Sequence, residues 1–281
     1  MFGDLTRVGA NFHAMEAWAN LKKVNGDIGS VQSRLSTGKR INSAEDDTSG
    51  YALSKQLESR TRGLSQALDN VGTAKNVLNI AEGSYQSQMS ILQRLKEKAT
   101  QAADGSFSSD QRSAINDEYT ALVKEIQDIA DQAKFNDNTL FGTTMTFQVG
   151  EDSSNTLAVT FDSSTSSAVG EGNTDISTGT VSLATAASAS TAIGTLDTAI
   201  KELAKSIQEM GDFNARLSSK EESLSLAISN TEATRSRIED ADFAKEQMSM
   251  MKLQILQQTT ISSFAQANAA PQVVLALFYR P

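Results

Sequence analysis

The sequence predicts a mainly α protein: a long antiparallel coiled-coil-like helical bundle formed by the N- and C-terminal segments, with a small β-hairpin and a loop-rich central insert. Apolar residues recur every seven positions in the N-terminal half, which is typical of a coiled coil. Residues 195–268 contain no proline and only one glycine, as expected for a long helix. Residues 162–192 are instead rich in Ser, Thr, Gly and Ala, which indicates loops.

The first predicted helix has an apolar seam that steps by three and four residues, as in a coiled coil. Its members are Leu21, Val24, Ile28, Val31 and Leu35. Upstream, Phe12, Met15 and Trp18 extend an apolar face, so we expect Trp18 to be a packed seam residue. His13 is the only histidine, and there is no cysteine to share a metal with it.

Residues 36–50 interrupt the helical pattern with Gly, Asn and Asp, and we interpret them as a connector with Ser43 or Asp47 as a helix cap. The fragment Thr37-Gly-Lys-Arg lacks the earlier glycine and the preceding strand of a phosphate-binding loop. The acidic residues 45–47 lack the ligand spacing of a calcium loop. A solvated acidic turn is therefore the better interpretation.

Residues 51–101 form the heptad helix, which a turn at 102–109 ends. Five large apolar residues define its intrasubunit seam: Leu57, Leu64, Val71, Leu78 and Leu92. A second apolar row contains Leu53, Ala67, Ala74, Ala81 and Leu95. Asp110 opens another helix with one apolar face. The short loop between these two helices predicts that they lie antiparallel.

Alternating apolar and polar residues predict a β-hairpin at about residues 144–161. The next segment has too few large apolar residues for an independent core, and we expect one short strand near 180–183. Helical spacing then returns and, if unbroken, gives a helix about 110 Å long. Pro271 predicts a kink or stop near residues 269–270. The apolar residues 273–278 need a partner to cover them.

Composition excludes several classes of function. The net charge of −9 argues against a nucleic-acid ligand and against an anionic membrane surface. No apolar run is long enough for membrane insertion, and the N-terminus lacks the pattern of a secretory signal. Catalytic sites usually require a positioned His, Cys or buried carboxylate pair. We therefore expect no enzyme, no catalytic residue, no cofactor and no metal site.

Several blocks of sequence together resemble bacterial flagellin. They are Arg34-Leu-Ser-Thr-Gly-Lys-Arg-Ile-Asn-Ser-Ala-Glu-Asp-Asp47, Leu92-Gln-Arg-Leu-Lys-Glu97, Phe135-Asn, Ser236-Arg-Ile-Glu-Asp-Ala-Asp-Phe243, Ile255-Leu-Gln-Gln258, Ala265-Gln-Ala-Asn268 and Pro271-Gln-Val-Val-Leu275. The resemblance covers about residues 20–162 and 193–278. Two departures, the stretch 5–11 and the added residues 279–281, lie in the terminal segments.

The resemblance implies a structural subunit of the bacterial flagellar filament, which self-assembles into a hollow helical polymer and transmits motor torque for swimming. Inner-core helices, ordered on assembly, correspond to residues 1–42 and 238–281. An outer-core domain corresponds to 43–162 and 193–237, and a short variable segment to 163–192. Expected inner-core assembly residues are Ile28, Val31, Leu35, Met248, Met251 and Ile255.

The resemblance also implies partners and a location. We expect a homopolymer of many copies that contacts the flagellar cap and hook-junction proteins. A cytoplasmic export chaperone would hold the C-terminal segment before secretion by the flagellar type III route, without a cleaved signal peptide. A Toll-like flagellin receptor would contact Gln93, Arg94 and Glu118. Lys98 stands where receptor-recognised flagellins commonly have leucine, so we expect weakened recognition.

Two other structural interpretations remain open at this point. A hook–filament junction protein shares flagellin-like termini, although the block 43–50 and the Phe135-Asn turn favour flagellin. A secreted coiled-coil spacer would explain the heptads but not the apolar segments at both termini. Growth of long filaments from seeds distinguishes flagellin from both alternatives.

Overall fold

Five α-helices dominate the computed structural model, which describes residues 11–278, with side chains through residue 269. The helices are α1 (Phe12–Thr37), α2 (Thr48–Ala103), α3 (Ser109–Gln132), α4 (Ala186–Glu239) and α5 (Phe243–Phe278). The prediction of a mainly α fold is confirmed. Of the two stretches that depart from the resemblance, residues 5–10 and 279–281 lie outside the described residues. The side chains of the apolar stretch 273–278 also lie outside them.

Within residues 11–278, six short strands form three antiparallel pairs. They are β1 (Lys134–Phe135), β2 (Asn138–Thr139), β3 (Thr143–Gln148), β4 (Thr156–Phe161), β5 (Ser164–Thr165) and β6 (Ala168–Val169). The predicted hairpin is the β3–β4 pair, in which Met145 lies opposite Val159. The strand predicted at 180–183 is wrong. This stretch is not paired as a strand, and its Val181 and Leu183 are buried in a helical core instead.

The chain divides into two compact units, which we name by position. The central unit contains residues 60–229, and the terminal unit contains residues 1–59 and 230–281. The domain boundaries suggested by the resemblance concern which segments become ordered on assembly. They stay a prediction.

The central unit is held by one hydrophobic core between α2, α3, α4 and the strands. Lys75 pairs with Glu221 at 2.9 Å and Lys96 with Asp197 at 2.5 Å, so α4 runs antiparallel to α2. Heptad side chains of α2 face this interior, where three helices exclude water from a shared apolar volume. The largest fully buried side chains include Tyr85, Tyr119, Phe161, Leu78, Leu92, Leu95, Ile126, Leu196 and Leu203.

Polar side chains attach the segment after β4 to the helices. The Tyr85 hydroxyl donates to the Asp162 carbonyl at 2.8 Å, and the Tyr119 hydroxyl donates to the Ile176 carbonyl at 2.9 Å. Burial raises the pKa of both phenols. The buried Gln88 amide donates to the carbonyls of Ile126 and Ser164 at 3.0 and 2.9 Å. The segment after β4 therefore packs into the hydrophobic core shared with the helices, as expected from its scarcity of large apolar residues.

The last third of the chain is not one helix, so the expectation of an unbroken 110 Å element is wrong. α4 ends at Glu239, and α5 begins at Phe243. The Asp242 carboxylate accepts hydrogen bonds from the backbone N–H groups of Ala244 and Lys245 at 3.0 and 3.2 Å. A side chain that satisfies the first free N–H groups in this way starts a new helix. Asp242, in the sequence Asp240-Ala-Asp242, is a residue type that favours the start of a helix, so the sequence contained an indication of this break.

The sequence predicted a kink or a stop near residues 269–270, and the stop is wrong, because α5 continues to Phe278. Proline normally ends or bends a helix because it removes one hydrogen bond and its ring crowds the preceding turn. The Ala267 carbonyl, four residues before the proline, instead accepts a hydrogen bond at 2.6 Å from the side chain of Asn11, the residue before α1.

Candidate assembly surface

The terminal unit is built on the pairing of α1 with α5. On α1, the apolar residues that are at least partly buried step by three and four: Ala14, Ala17, Leu21, Val24, Ile28, Val31 and Leu35. On α5, the at least partly buried residues that follow the same spacing are Glu246, Met250, Leu253, Gln257, Thr260, Phe264 and Ala267. Both series have the spacing of a coiled-coil seam. The Gln257 amide donates to the Asn25 side-chain oxygen at 2.7 Å, which fixes how the two helices are aligned.

This pair of helices encloses almost no interior. Ala14 and Val31 are the buried apolar residues of α1, and none of the side chains described on α5, residues 243–269, is buried. A two-helix seam covers one narrow stripe on each helix and leaves the remaining surface in water. The pair is therefore incomplete as a folded unit, because helix stability in proteins comes mainly from packing an apolar face.

Large apolar side chains lie on the uncovered surface of this pair. Trp18 is 56% exposed, Met248 is 60% exposed and Ile255 is 65% exposed. The others on these two helices are Phe12, Met15, Phe243, Met251, Leu256 and Ile261. Single exposed apolar residues are common on soluble proteins, but repeated ones along one helix indicate a surface that binds a partner. We call these nine residues the apolar assembly surface.

The six predicted assembly residues fall into two groups. Ile28, Val31 and Leu35 belong to the α1 seam, whereas Met248, Met251 and Ile255 belong to the apolar assembly surface. The structure therefore does not bring the six together in one contact. The expectation that Trp18 is a packed seam residue is wrong, since Ala14 and Ala17 occupy the seam there and Trp18 lies outside it. The Lys22 ammonium lies 5.9 Å from the centroid of the Trp18 ring.

The intrasubunit seam residues also divide between the two units. Leu64, Val71, Leu78 and Leu92 are buried in the core of the central unit. Leu57 belongs to the terminal unit and is half-buried. Leu53 of the second apolar row is 45% exposed, so the heptad pattern continues along α2 beyond the part that this chain buries.

A buried carboxylate joins the connector after α1 to the end of α4. The Glu239 side chain, 5% exposed, pairs with Lys39 at 2.5 Å and Arg235 at 3.0 Å, and it accepts a hydrogen bond from the Ser54 hydroxyl at 2.6 Å. Burial raises its pKa, but the Lys39 and Ser54 hydrogen bonds and the two cations outweigh burial and lower the pKa to about 2. Glu239 is thus ionised at neutral pH.

Backbone hydrogen bonds complete this junction. The N–H groups of Arg40 and Ile41 donate to the Glu239 carbonyl at 2.6 and 3.3 Å, and the Ala241 N–H donates to the Gly38 carbonyl at 2.9 Å. Gly38 has a φ of 72°, a left-handed conformation that glycine adopts without steric cost. We call these contacts the junction ladder. The role of Glu239 was not predicted from the sequence, because its partners Lys39 and Ser54 lie far from it in the chain.

The side chains of the acidic turn after the ladder accept hydrogen bonds from nearby backbone N–H groups. The Asp46 carboxylate accepts from the N–H groups of Asn42 and Ser43, both at 3.0 Å, and the Ser43 hydrogen bond lowers its pKa. Asp47 accepts from the N–H groups of Ser49 and Gly50 at 3.1 and 2.9 Å. Of the two predicted caps, Asp47 is the one that begins α2.

The predicted receptor-contact residues are exposed in the central unit. Gln93 and Arg94 lie on α2, and Glu118 lies on α3. The Lys98 ammonium forms an ion pair with Glu118 at 2.7 Å. Lys98 therefore directly contacts Glu118, one of the three predicted receptor-contact residues.

Two kinds of feature are absent from the described residues. Among residues 11–278, no helix combines the length and apolar character needed to cross a bilayer. In the same range, no cluster of three or more His, Cys, Asp or Glu side chains is arranged to hold a metal ion.

A helical chain with a self-contained central core and an uncovered apolar surface on its paired termini has the architecture of a structural subunit that binds further chains. Comparison with known proteins gives the family. The bacterial flagellin N-terminal helical region matches residues 8–146, and the bacterial flagellin C-terminal helical region matches residues 193–278. The chain belongs to the bacterial flagellin family.

Individual relatives agree with the family models. Flagellin FlaB1 of Treponema pallidum is 34% identical over 280 residues, which cover 95% of this chain and 98% of the relative. The flagellar filament 33 kDa core protein of Treponema phagedenis is 35% identical over 283 residues, with the same coverage of both chains. A crystal structure of Bacillus cereus flagellin is 27% identical, has a TM-score of 0.49, and covers 56% of this chain and 88% of its own.

The chain is a structural subunit of the bacterial flagellar filament, an extracellular polymer of many subunits. Flagellins as a family are structural proteins. The alternative of a hook–filament junction protein receives no support from these comparisons.

Proposed function

We propose that the apolar assembly surface is where neighbouring subunits pack in the filament, so that polymerisation completes the terminal unit. The observation that carries this proposal is the pairing of α1 and α5 without an interior of its own, beside large apolar side chains that are 40–69% exposed. Around a common axis, such surfaces from many copies form a closed core. The resulting hollow helical polymer transmits motor torque.

Burial of this surface gives the driving force. Each large apolar side chain that becomes fully buried contributes roughly 1.5–3 kcal/mol. Met248, Met251 and Ile255 together therefore contribute several kcal/mol per subunit, before the entropic cost of ordering the termini is subtracted. Ile28, Val31 and Leu35 act earlier, since they align α1 with α5 and so define which face of the pair is presented.

A charge at Ile255 tests this function. We expect Ile255→Glu to abolish seeded filament growth, because burial of an unpaired carboxylate costs more than the side chain's apolar burial supplies. The measurement is electron microscopy of seeded protein with sedimentation of the polymer. Circular dichroism should show that the central unit remains folded.

The matched control is Ile255→Leu, which keeps apolar character and volume and should polymerise like the original chain. Filaments from Ile255→Glu at the original yield would refute the placement of Ile255 in the assembly contact. Failure of the original chain to elongate on seeds would instead refute the filament function.

We further infer that the free subunit is exported by the flagellar type III route without a cleaved signal peptide, and that a cytoplasmic chaperone covers its C-terminal segment before export. The support is physical: an uncovered apolar surface in the cytoplasm promotes aggregation. Contacts with the cap and hook-junction proteins follow from the same role in the filament. We propose no catalytic activity.

The ion pair between Lys98 and Glu118 sharpens the proposal on innate recognition. A receptor that binds Glu118 must compete with the Lys98 ammonium 2.7 Å away, and it must accommodate a charge where an apolar side chain is usual. We therefore expect weak signalling by the purified monomer, and stronger signalling by Lys98→Leu. The control is Lys124→Leu, which removes an exposed cation from the neighbouring helix α3. Full-strength signalling by the unmodified monomer would contradict this proposal.

A further inference from the structure

Pro271 removes one hydrogen bond from the interior of α5. In an α-helix the N–H of residue 271 would donate to the carbonyl of residue 267. Proline has no N–H to donate. The carbonyl of Ala267 is therefore left without a donor from its own helix, although α5 continues to Phe278.

The side chain of Asn11 supplies the missing donor. Its Nδ2 atom donates to the Ala267 carbonyl at 2.6 Å. Its Oδ1 atom accepts from the Ala14 N–H at 3.1 Å, which caps the N-terminus of α1. One side chain thus satisfies an unpaired acceptor on α5 and an unpaired donor on α1, and 256 residues of chain separate the two partners Asn11 and Ala267.

The residue type matches this double role. Serine, threonine and aspartate cap helices about as well as asparagine does, but a carboxylate has no donor, and a hydroxyl group on Cβ is one bond shorter than the Asn amide. Asn carries an acceptor and a donor on one planar group. A residue selected only to cap α1 would not need the amide.

We propose that Asn11 is a positioning residue for assembly, which couples the docking of α1 to the helical continuation of α5 through Pro271. When α1 is in place, the Ala267 carbonyl is satisfied and the C-terminal residues extend as helix. When α1 is absent, α5 loses this donor and the helix ends before the proline. The proposal rests on the proposed filament function, because assembly is where both termini are ordered together.

A double-mutant cycle tests the coupling. Asn11→Ser keeps a good cap but removes the amide donor. Pro271→Ala restores the N–H that Ala267 would normally receive, so it makes the Asn11 donor unnecessary. In the original background we expect Asn11→Ser to raise the critical concentration for seeded growth about fivefold, the effect of one hydrogen bond. In the Pro271→Ala background, Asn11→Ser should have no effect.

Hydrogen exchange over residues 264–278, followed by mass spectrometry of the full chain, gives a second readout. Asn11→Ser should speed exchange there in the original background and leave it unchanged beside Pro271→Ala. An equal effect in both backgrounds, or in neither, would overturn the coupling. If that result were obtained while the original chain still formed filaments, the coupling would be refuted and the filament function would stand. Absence of filaments from the original chain would refute that function, while the exchange cycle would still decide the coupling.

Discussion

The two units of this chain use the same heptad spacing with opposite results. In the central unit, Val71, Leu92 and Leu203 are fully buried. In the terminal unit, the α5 side chains through residue 269 include none that is buried. Spacing alone therefore fixes which face of a helix meets its neighbour, whereas the number of neighbours decides whether that face becomes a core. Three helices and a hairpin enclose a volume, and two helices do not.

The difference also separates two sources of stability. The central unit is stabilised by contacts within one chain, so its free energy of unfolding does not depend on protein concentration. In the proposed filament, the terminal unit gains stability by mass action, because association with copies of the chain would supply the burial that the single chain lacks. Predictions that change one unit should therefore leave the other nearly unaffected.

The largest expected effect is on the core of the central unit. Leu78→Ala should lower its free energy of unfolding by about 2–5 kcal/mol, since it removes buried methyl groups and leaves a cavity. Urea unfolding followed by circular dichroism measures this. The matched substitution Ile255→Ala, at a site that is 65% exposed, should change the same transition by less than about 0.5 kcal/mol. Equal effects would remove the distinction between the units.

The second prediction concerns Glu239. Its pKa is about 2 in the folded chain, below the ordinary value of about 4.3, so ionisation stabilises the junction ladder above pH 4.3. That contribution, about 2–3 kcal/mol, is lost as pH falls through the range from 4.3 to 2. Glu239→Gln should lack this contribution at every pH. Hydrogen exchange around Gly38 and Ala241 should thus differ between the two proteins at pH 6 and converge near pH 2.

As a check on this second prediction, Glu45→Gln alters an exposed carboxylate in the acidic turn and should leave the exchange profile as it is in the original chain. A difference between Glu239→Gln and the original chain that stays constant down to pH 2 would show that ionisation of Glu239 does not stabilise the ladder.

The smallest effect is expected at a glycine of α1. A Cβ atom added at Gly26 meets nothing within 4 Å, so Gly26→Ala should stabilise the helix by about 0.5–1 kcal/mol through the unfolded state. Circular dichroism of the free chain should show more helix, with no change in the urea transition of the central unit. Gly72→Ala, equally open but in the central unit, should raise that transition instead. A change in the urea transition with Gly26→Ala but not with Gly72→Ala would contradict the division into units.

The sequence predicted much of this architecture because seam spacing is local information. Leu21, Val24 and Ile28 of the α1 seam lie where their spacing places them, and the hairpin follows its alternation. The seam of α5 was missed since Gln257 and Thr260 occupy seam positions that a search for apolar residues passes over.

Long-range contacts account for the remaining differences. Nothing near Glu239 in the sequence reveals Lys39 and Ser54 as its partners, and nothing near Pro271 reveals that Asn11 replaces its lost hydrogen bond. Trp18 was assigned to a seam because it continues an apolar face with Phe12 and Met15, whereas the buried seam passes through Ala14 and Ala17 instead. Such choices depend on which surfaces meet in three dimensions, and a single helix pattern does not contain them.

The junction ladder has a kinetic consequence for how the two ends of the chain meet. In an open chain, pairing Asn25 with Gln257 closes a loop of 232 residues. Once the ladder has formed at Gly38 and Ala241, the same pairing closes an effective loop of only about 30 residues, which lowers the entropic cost by about 2 kcal/mol. We therefore expect α1 to pair with α5 from the ladder outward, with the contact between Asn11 and Ala267 closing last.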